Sequence, residues 1–187
     1  MNVVIFGPPG AGKGTQAQNI VKKFNLHQVS TGDLLRTEIK NKSEIGKEIE
    51  EIISKGDFAT DDIVNKLIKN IIFDPQKKDK LIFDGYPRSL SQAKNLDLLL
   101  NSSNQKIDFI FFLNVNKDTI IKRIERRKIL EKRSDDDANT ILKRYDRYMV
   151  ITKPVLDYYS KNQNFHEVDG SMEIHDISQK IEEILRV

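Results

Sequence analysis

Apolar positions recur along this chain with two different periods. Short runs rich in β-branched and aromatic residues, at 3–6, 81–83, 108–113 and 165–168, predict strands, and 28–30 is a weaker fifth. The intervals between them have helical spacing. In 16–24 the residues Ile20, Val21 and Phe24 share one face, as a helix needs to pack on a sheet. Helical pattern also covers 31–41, 43–55, 60–73 and 118–127, and one long helix is expected from Ala138 to about Ser160. Strand, loop and helix in repeated order imply right-handed crossovers between parallel strands covered on both faces, so the fold class is α/β, a doubly wound five-stranded parallel sheet. Ligands are then expected at the carboxyl ends of the strands.

Two stretches exceed what simple crossovers require. About fifty residues of almost purely helical pattern separate the second and third strands, so 30–59 is expected to project as a small helical insert, with Gly56 as a break. The polar, basic stretch 126–136 is a second and shorter insertion. The remainder is expected to be one domain spanning 1–187.

Composition narrows the function classes. Among 187 residues, 31 Lys and Arg face 28 Asp and Glu, and a net charge of +3 gives no large basic surplus for a nucleic acid. Cysteine is absent, which excludes disulfides, thiolate nucleophiles and zinc held by thiolates. The longest apolar runs, such as 109–113, fall far short of the ~20 residues that cross a bilayer, and the amino terminus lacks the pattern of a secretory signal. No membrane or nucleic-acid partner is expected, and a cytoplasmic monomer is the default.

The strongest chemical signal is Gly7-Pro8-Pro9-Gly10-Ala11-Gly12-Lys13-Gly14-Thr15, placed between an apolar strand and an amphipathic helix. Glycines let main-chain N–H groups curl around phosphate oxygens, the helix adds its positive end, and Lys13 adds a point charge. One departure matters: Gly14 stands where a magnesium-binding hydroxyl would come, and Thr15 follows one residue later. A Mg²⁺ ion is therefore expected to be held largely through water, with Asp84, delivered by the apolar 81–83 run, on the metal side. A turn-forming role before Gly85 is the plain alternative for Asp84. Asp33 reads first as helix-start chemistry and second as part of a metal shell. Asn116-Lys117-Asp118-Thr119 does not fit the guanine-reading pattern, because its Asp comes one residue early, and it is read as a helix cap.

Arginine supplies the rest. Arg36, Arg88, Arg123, Arg127, Arg133 and Arg144 could clamp several phosphates, with solvated side chains as the alternative for any one of them. The three histidines lie outside every motif. Transfer between two phosphates needs no strong base, since the acceptor oxygen is already anionic.

At these motifs the chain resembles the adenylate kinases, in their short-lid form, over nearly its whole length. The matching pieces are residues 7–16, 30–36, Asp84-Gly85-Tyr86-Pro87-Arg88 with Gln92, the arginines, and Asp135-Asp136. The resemblance implies a P-loop kinase fold and reversible transfer, ATP + AMP ⇌ 2 ADP. It implies MgATP on Gly10, Ala11, Gly12, Lys13, Gly14 and Thr15, with Arg127 at the phosphates and Met172 touching the adenine through its backbone. It places Lys13, Arg88, Arg123, Arg127, Arg133 and Arg144 at the transfer itself. AMP would lie against Thr31, Arg36, Asp57, Phe58, Ala59, Gly85, Tyr86, Pro87, Arg88, Gln92, Arg133 and Arg144. Segment 126–136 is too short for a zinc-bearing hairpin, so no zinc is expected. Thr31, Ser89 and Gln92 favour AMP over UMP or CMP, whose kinases share the fold. A nucleotide-dependent switch is the alternative of a different class.

Overall fold

A computed structural model describes residues 1–54, 59–131 and 138–186, with the side chains at 51, 53–54, 126–131 and 138–141 outside the description. Strands β1 (Val3–Phe6), β2 (His27–Ser30), β3 (Leu81–Asp84), β4 (Phe109–Asn114) and β5 (Phe165–Asp169) form one sheet in the order β2-β3-β1-β4-β5. Every pairing is parallel, and Ile5 lies level with Asp84, which in turn lies level with Ser30. The fold class is as expected, and the weak fifth strand is real: His27–Ser30 pairs along β3 at the sheet edge, where partial exposure thins its apolar signal.

Near-continuous apolar runs suit strands buried on both faces. Alternate side chains of β1 divide accordingly. Val4 and Phe6 join Val29, Phe83 and Ile110 in one core, against helices α2 (Thr31–Lys40), α3 (Glu44–Ser54), α4 (Asp61–Ile72), α5 (Leu90–Ser102) and α8 (Lys153–Tyr159). Val3 and Ile5 join Ile82, Phe111, Leu113 and Val168 in the other, against α1 (Lys13–Phe24), α6 (Lys117–Glu131) and α9 (Ile174–Leu185). In α9 the buried Ile177, Ile181 and Leu185 recur every four residues, the stripe a helix lays on a sheet.

Three expectations change. Helix α1 begins at Lys13 rather than Gln16, which brings Lys13, Gly14 and Thr15 into its first turn. The single helix expected over 138–160 is two, α7 (Ala138–Ile151) and α8, parted at Thr152. The cause is Pro154, which is tolerated in the first turn of α8 but would break the interior of a longer helix. Helix α6 also runs on to Glu131, through the first positions assigned to the second insertion. Helices α2 and α3 fill 31–54 of the insert, and Gly56 lies outside the described residues. No helix among the described residues is long and apolar enough to cross a membrane.

Candidate active site

The loop between β1 and α1 is shaped by two glycines in the left-handed region, Gly10 at φ 81° and Gly12 at φ 91°. A Cβ on Gly10 would stand 2.9 Å from Ile124, so the loop lies against α6 with no room for a side chain. Gly12 precedes the first turn of α1 and supplies no side-chain cap, leaving its N–H donors to an outside anion. The Lys13 ammonium donates to the carbonyls of Gly7 at 2.7 Å and Pro8 at 3.0 Å, which seats it over the loop. Thr15 is exposed at the mouth.

Arg123 ties this loop to the turn after β5. Its guanidinium donates to Gly170 O at 2.7 Å, Met172 O at 3.3 Å and Ala11 O at 3.4 Å. The Met172 carbonyl is thus engaged by Arg123, beside the phosphate loop. Asp84 closes the same side: Gln28 Nε2 donates to it at 3.2 Å, and a Cβ built on Gly14 would lie 3.5 Å from Oδ2. Among the described residues no three His, Asp or Glu side chains cluster as a metal cage. One carboxylate facing a loop shaped for phosphate fits a Mg²⁺ that keeps its waters and arrives with a nucleotide.

The other half of the site starts at the carboxyl end of β3. Thr31 Oγ1 donates to Gly85 O at 2.9 Å, and Arg88 Nε donates to the same carbonyl at 2.8 Å. Tyr86 is buried; its hydroxyl donates to Asn65 Oδ1 at 2.8 Å and lies 3.3 Å from Gln92 O, and burial pushes the phenol up to about 12. Burial, and next the charge of Arg144, draw the Arg88 guanidinium down to about 10, with Asp84 opposing and Arg36 adding. Arg88, in the β3–α5 connection, therefore lies within reach of the charges of Arg144 from α7 and Arg36 from α2, an arrangement that an anion relieves. Arg36 pairs at 2.5 Å with Asp33, whose own N–H is capped by Ser30 Oγ at 3.3 Å, so Asp33 serves the helix start as expected. Ala59 is buried in the core beneath, with Tyr86 and Ala93.

Asp57, Phe58 and Arg133 lie outside the described residues, and of Arg127 only the helical backbone is described. None of the histidines joins the site: His27 is in β2, His175 in α9, and His166 packs on Phe109 and Phe111. Sequence reasoning missed Gln28 and Asp61. Asp61 looks like ordinary helix-start acid after Thr60, and its contacts to Ser89, Ser91 and Gln92 are about thirty residues away.

An amide-lined loop on one side of the sheet's carboxyl edge and a guanidinium cluster on the other define a phosphate-loop phosphotransferase of the α/β class. The adenylate kinase family model matches residues 5–164. Adenylate kinase of Pelagibacter ubique is 48% identical with all of both chains covered, that of Thermosipho africanus 33% with the same coverage, and that of Flavobacterium psychrophilum 37% over 99% of this chain and 98% of its own. The chain belongs to the adenylate kinase family, and is a nucleoside monophosphate kinase.

Proposed function

We propose that the protein catalyses ATP + AMP ⇌ 2 ADP, with ATP phosphates on the loop before α1 and the AMP phosphate between Arg36, Arg88 and Arg144. The observation that supports this is the placing of Arg88, held on Gly85 O at 2.8 Å at the carboxyl end of β3, where it feels the charges of Asp84, Arg144 and Arg36. The oxygen of the AMP phosphate attacks the γ-phosphorus; its bond to the β-phosphate oxygen breaks, and ADP leaves on each side. The acceptor is already anionic, so the protein's work is alignment and neutralisation rather than proton removal. Main-chain amides of residues 10–15 and Lys13 hold the donor phosphates, and Arg123 holds the loop against the turn carrying Met172. Asp84 would hold, through water, the Mg²⁺ that arrives with ATP, and that ion would supply charge neutralisation at the donor phosphates. Arg127 and Arg133 complete the grip on the transferring group.

Gln92, Thr31 and the segment 57–59 read the adenine. The insert 30–59 and the short lid 126–136 close over both nucleotides and exclude water, which would otherwise accept the phosphoryl group. The segment 126–136 is too short for a zinc-bearing hairpin, so no zinc site is proposed there. A cytoplasmic monomer is proposed with this activity. The test is ADP formation from MgATP with AMP, UMP, CMP and GMP in turn. Rapid turnover with AMP alone is expected; slow ATP hydrolysis indifferent to AMP would mean a switch, and equal rates with UMP or CMP would overturn the base assignment.

A further inference from the structure

We propose that Asp61, at the start of α4, decides which purine the acceptor pocket reads, by locking the side-chain amide of Gln92 in one orientation. The proposal rests on Gln92 reading the base. Gln92 Nε2 donates to Asp61 Oδ1 at 2.6 Å, and the main-chain N–H of Arg88 donates to Gln92 Oε1 at 2.7 Å. A carboxylate can only accept and a main-chain N–H can only donate, so these partners alone dictate which end of the amide is oxygen. The other carboxylate oxygen is held by Ser89 Oγ at 3.0 Å and by Ser91 Oγ. Ser89 also caps α5 through the Gln92 N–H at 3.2 Å, which fixes the backbone beneath the amide. Asp61 is thus immobilised on one side and orients Gln92 on the other.

A primary amide has two N–H donors and two acceptor lone pairs, and one of each is used here. One donor and one acceptor remain for a base. Adenine offers an acceptor at N1 and a donor at its 6-amino group, which match. Hypoxanthine offers a donor at N1–H and an acceptor at O6, and would require the amide inverted. Inversion would set Nε2 against the Arg88 N–H and Oε1 against the Asp61 carboxylate, so both anchors oppose it. Without Asp61, only the Arg88 N–H resists.

The test uses the full chain with MgATP and either AMP or IMP, which keeps the purine and reverses the two reading positions. Asp61→Ser, whose hydroxyl falls short of Gln92 yet suits a helix start, should raise KM for AMP about tenfold and cut the AMP:IMP preference in kcat/KM about tenfold, the size of one hydrogen bond in a desolvated site. KM for ATP should not move. Asp61→Asn should recover most of the preference, since its amide oxygen can accept from Nε2 while its NH₂ meets the serine oxygens. Asp61→Ala is the second deletion variant if the Ser variant does not fold. An unchanged AMP:IMP ratio in the deletion variant, or a loss shared equally by KM for ATP, overturns the proposal. Gln92→Leu, run in parallel, separates the two levels: if it leaves KM for AMP unchanged, the base-reading assignment itself fails.

Discussion

Replacing Arg88 by Met should make the nucleotide-free protein more stable and the enzyme nearly inactive. Burial and the neighbouring arginines lower the guanidinium from 12.5 to about 10, which corresponds to about 3 kcal/mol against the charged form in the fold. Arg88 is half-buried, so water screens part of that cost. The variant also loses the hydrogen bond from Nε to Gly85 O, worth about 1 kcal/mol, although that carbonyl keeps Thr31 as a partner. The net expectation is a gain of about 1 kcal/mol, or a Tm rise of about 2–4 °C for a chain of this size. Because the unfolded chain holds this proton more tightly, the cost is fully present below pH 10 and is relieved above it. The stability difference between variant and wild type should therefore be flat from about pH 6 to 9 and close above pH 10. AMP should raise the Tm of the wild type but not of the variant, and kcat/KM for AMP should fall at least about 100-fold with the charge-assisted bonds to its phosphate. Thermal melts with and without AMP, with coupled ADP assays, decide it. A variant less stable than wild type without nucleotide, or one within a few-fold of its kcat/KM, would refute the reading of Arg88 as a charge held for an anion.

Lys13→Met should cut kcat at least about 100-fold while the circular dichroism spectrum and Tm stay close to wild type, and normal turnover would remove Lys13 from the mechanism. The Tyr148 hydroxyl is buried with no hydrogen-bond partner among the described residues, and burial pushes its phenol up, so Tyr148→Phe should raise stability by about 1 kcal/mol in denaturant titration. Gly10→Ala combines a left-handed φ with Ile124 only 2.9 Å from the new methyl and should cost about 2–4 kcal/mol, whereas Gly12→Ala, facing open space, should cost only the backbone share of about 1–2 kcal/mol. Chemical unfolding of both variants checks the contrast.

What could be read from the sequence is what local chemistry encodes. The phosphate loop declares itself because glycines, lysine and the following helix all lie within about ten residues, and β1, β3 and β4 declare themselves because strands covered on both faces are apolar throughout. The division of 138–160 into two helices was signalled by Pro154 but hidden by apolar spacing that continues through Val150, Ile151 and Val155. Helix α5 is weakly amphipathic, with Leu90 and Leu98 exposed beside the buried Leu96 and Leu100, so its pattern predicts little. The Asp61–Gln92 lock and the tie from Arg123 to Gly170 join segments far apart in sequence, and only the folded sheet brings them together.

The central claim is that two nucleotides bind phosphate to phosphate across the carboxyl edge of one sheet. A diadenosine oligophosphate long enough to bridge both pockets measures this directly, by calorimetry and by inhibition. The account predicts one molecule bound per chain, competing with both ATP and AMP, with affinity lost in both Lys13→Met and Arg88→Met. Competition with only one substrate, or binding indifferent to either substitution, would contradict it.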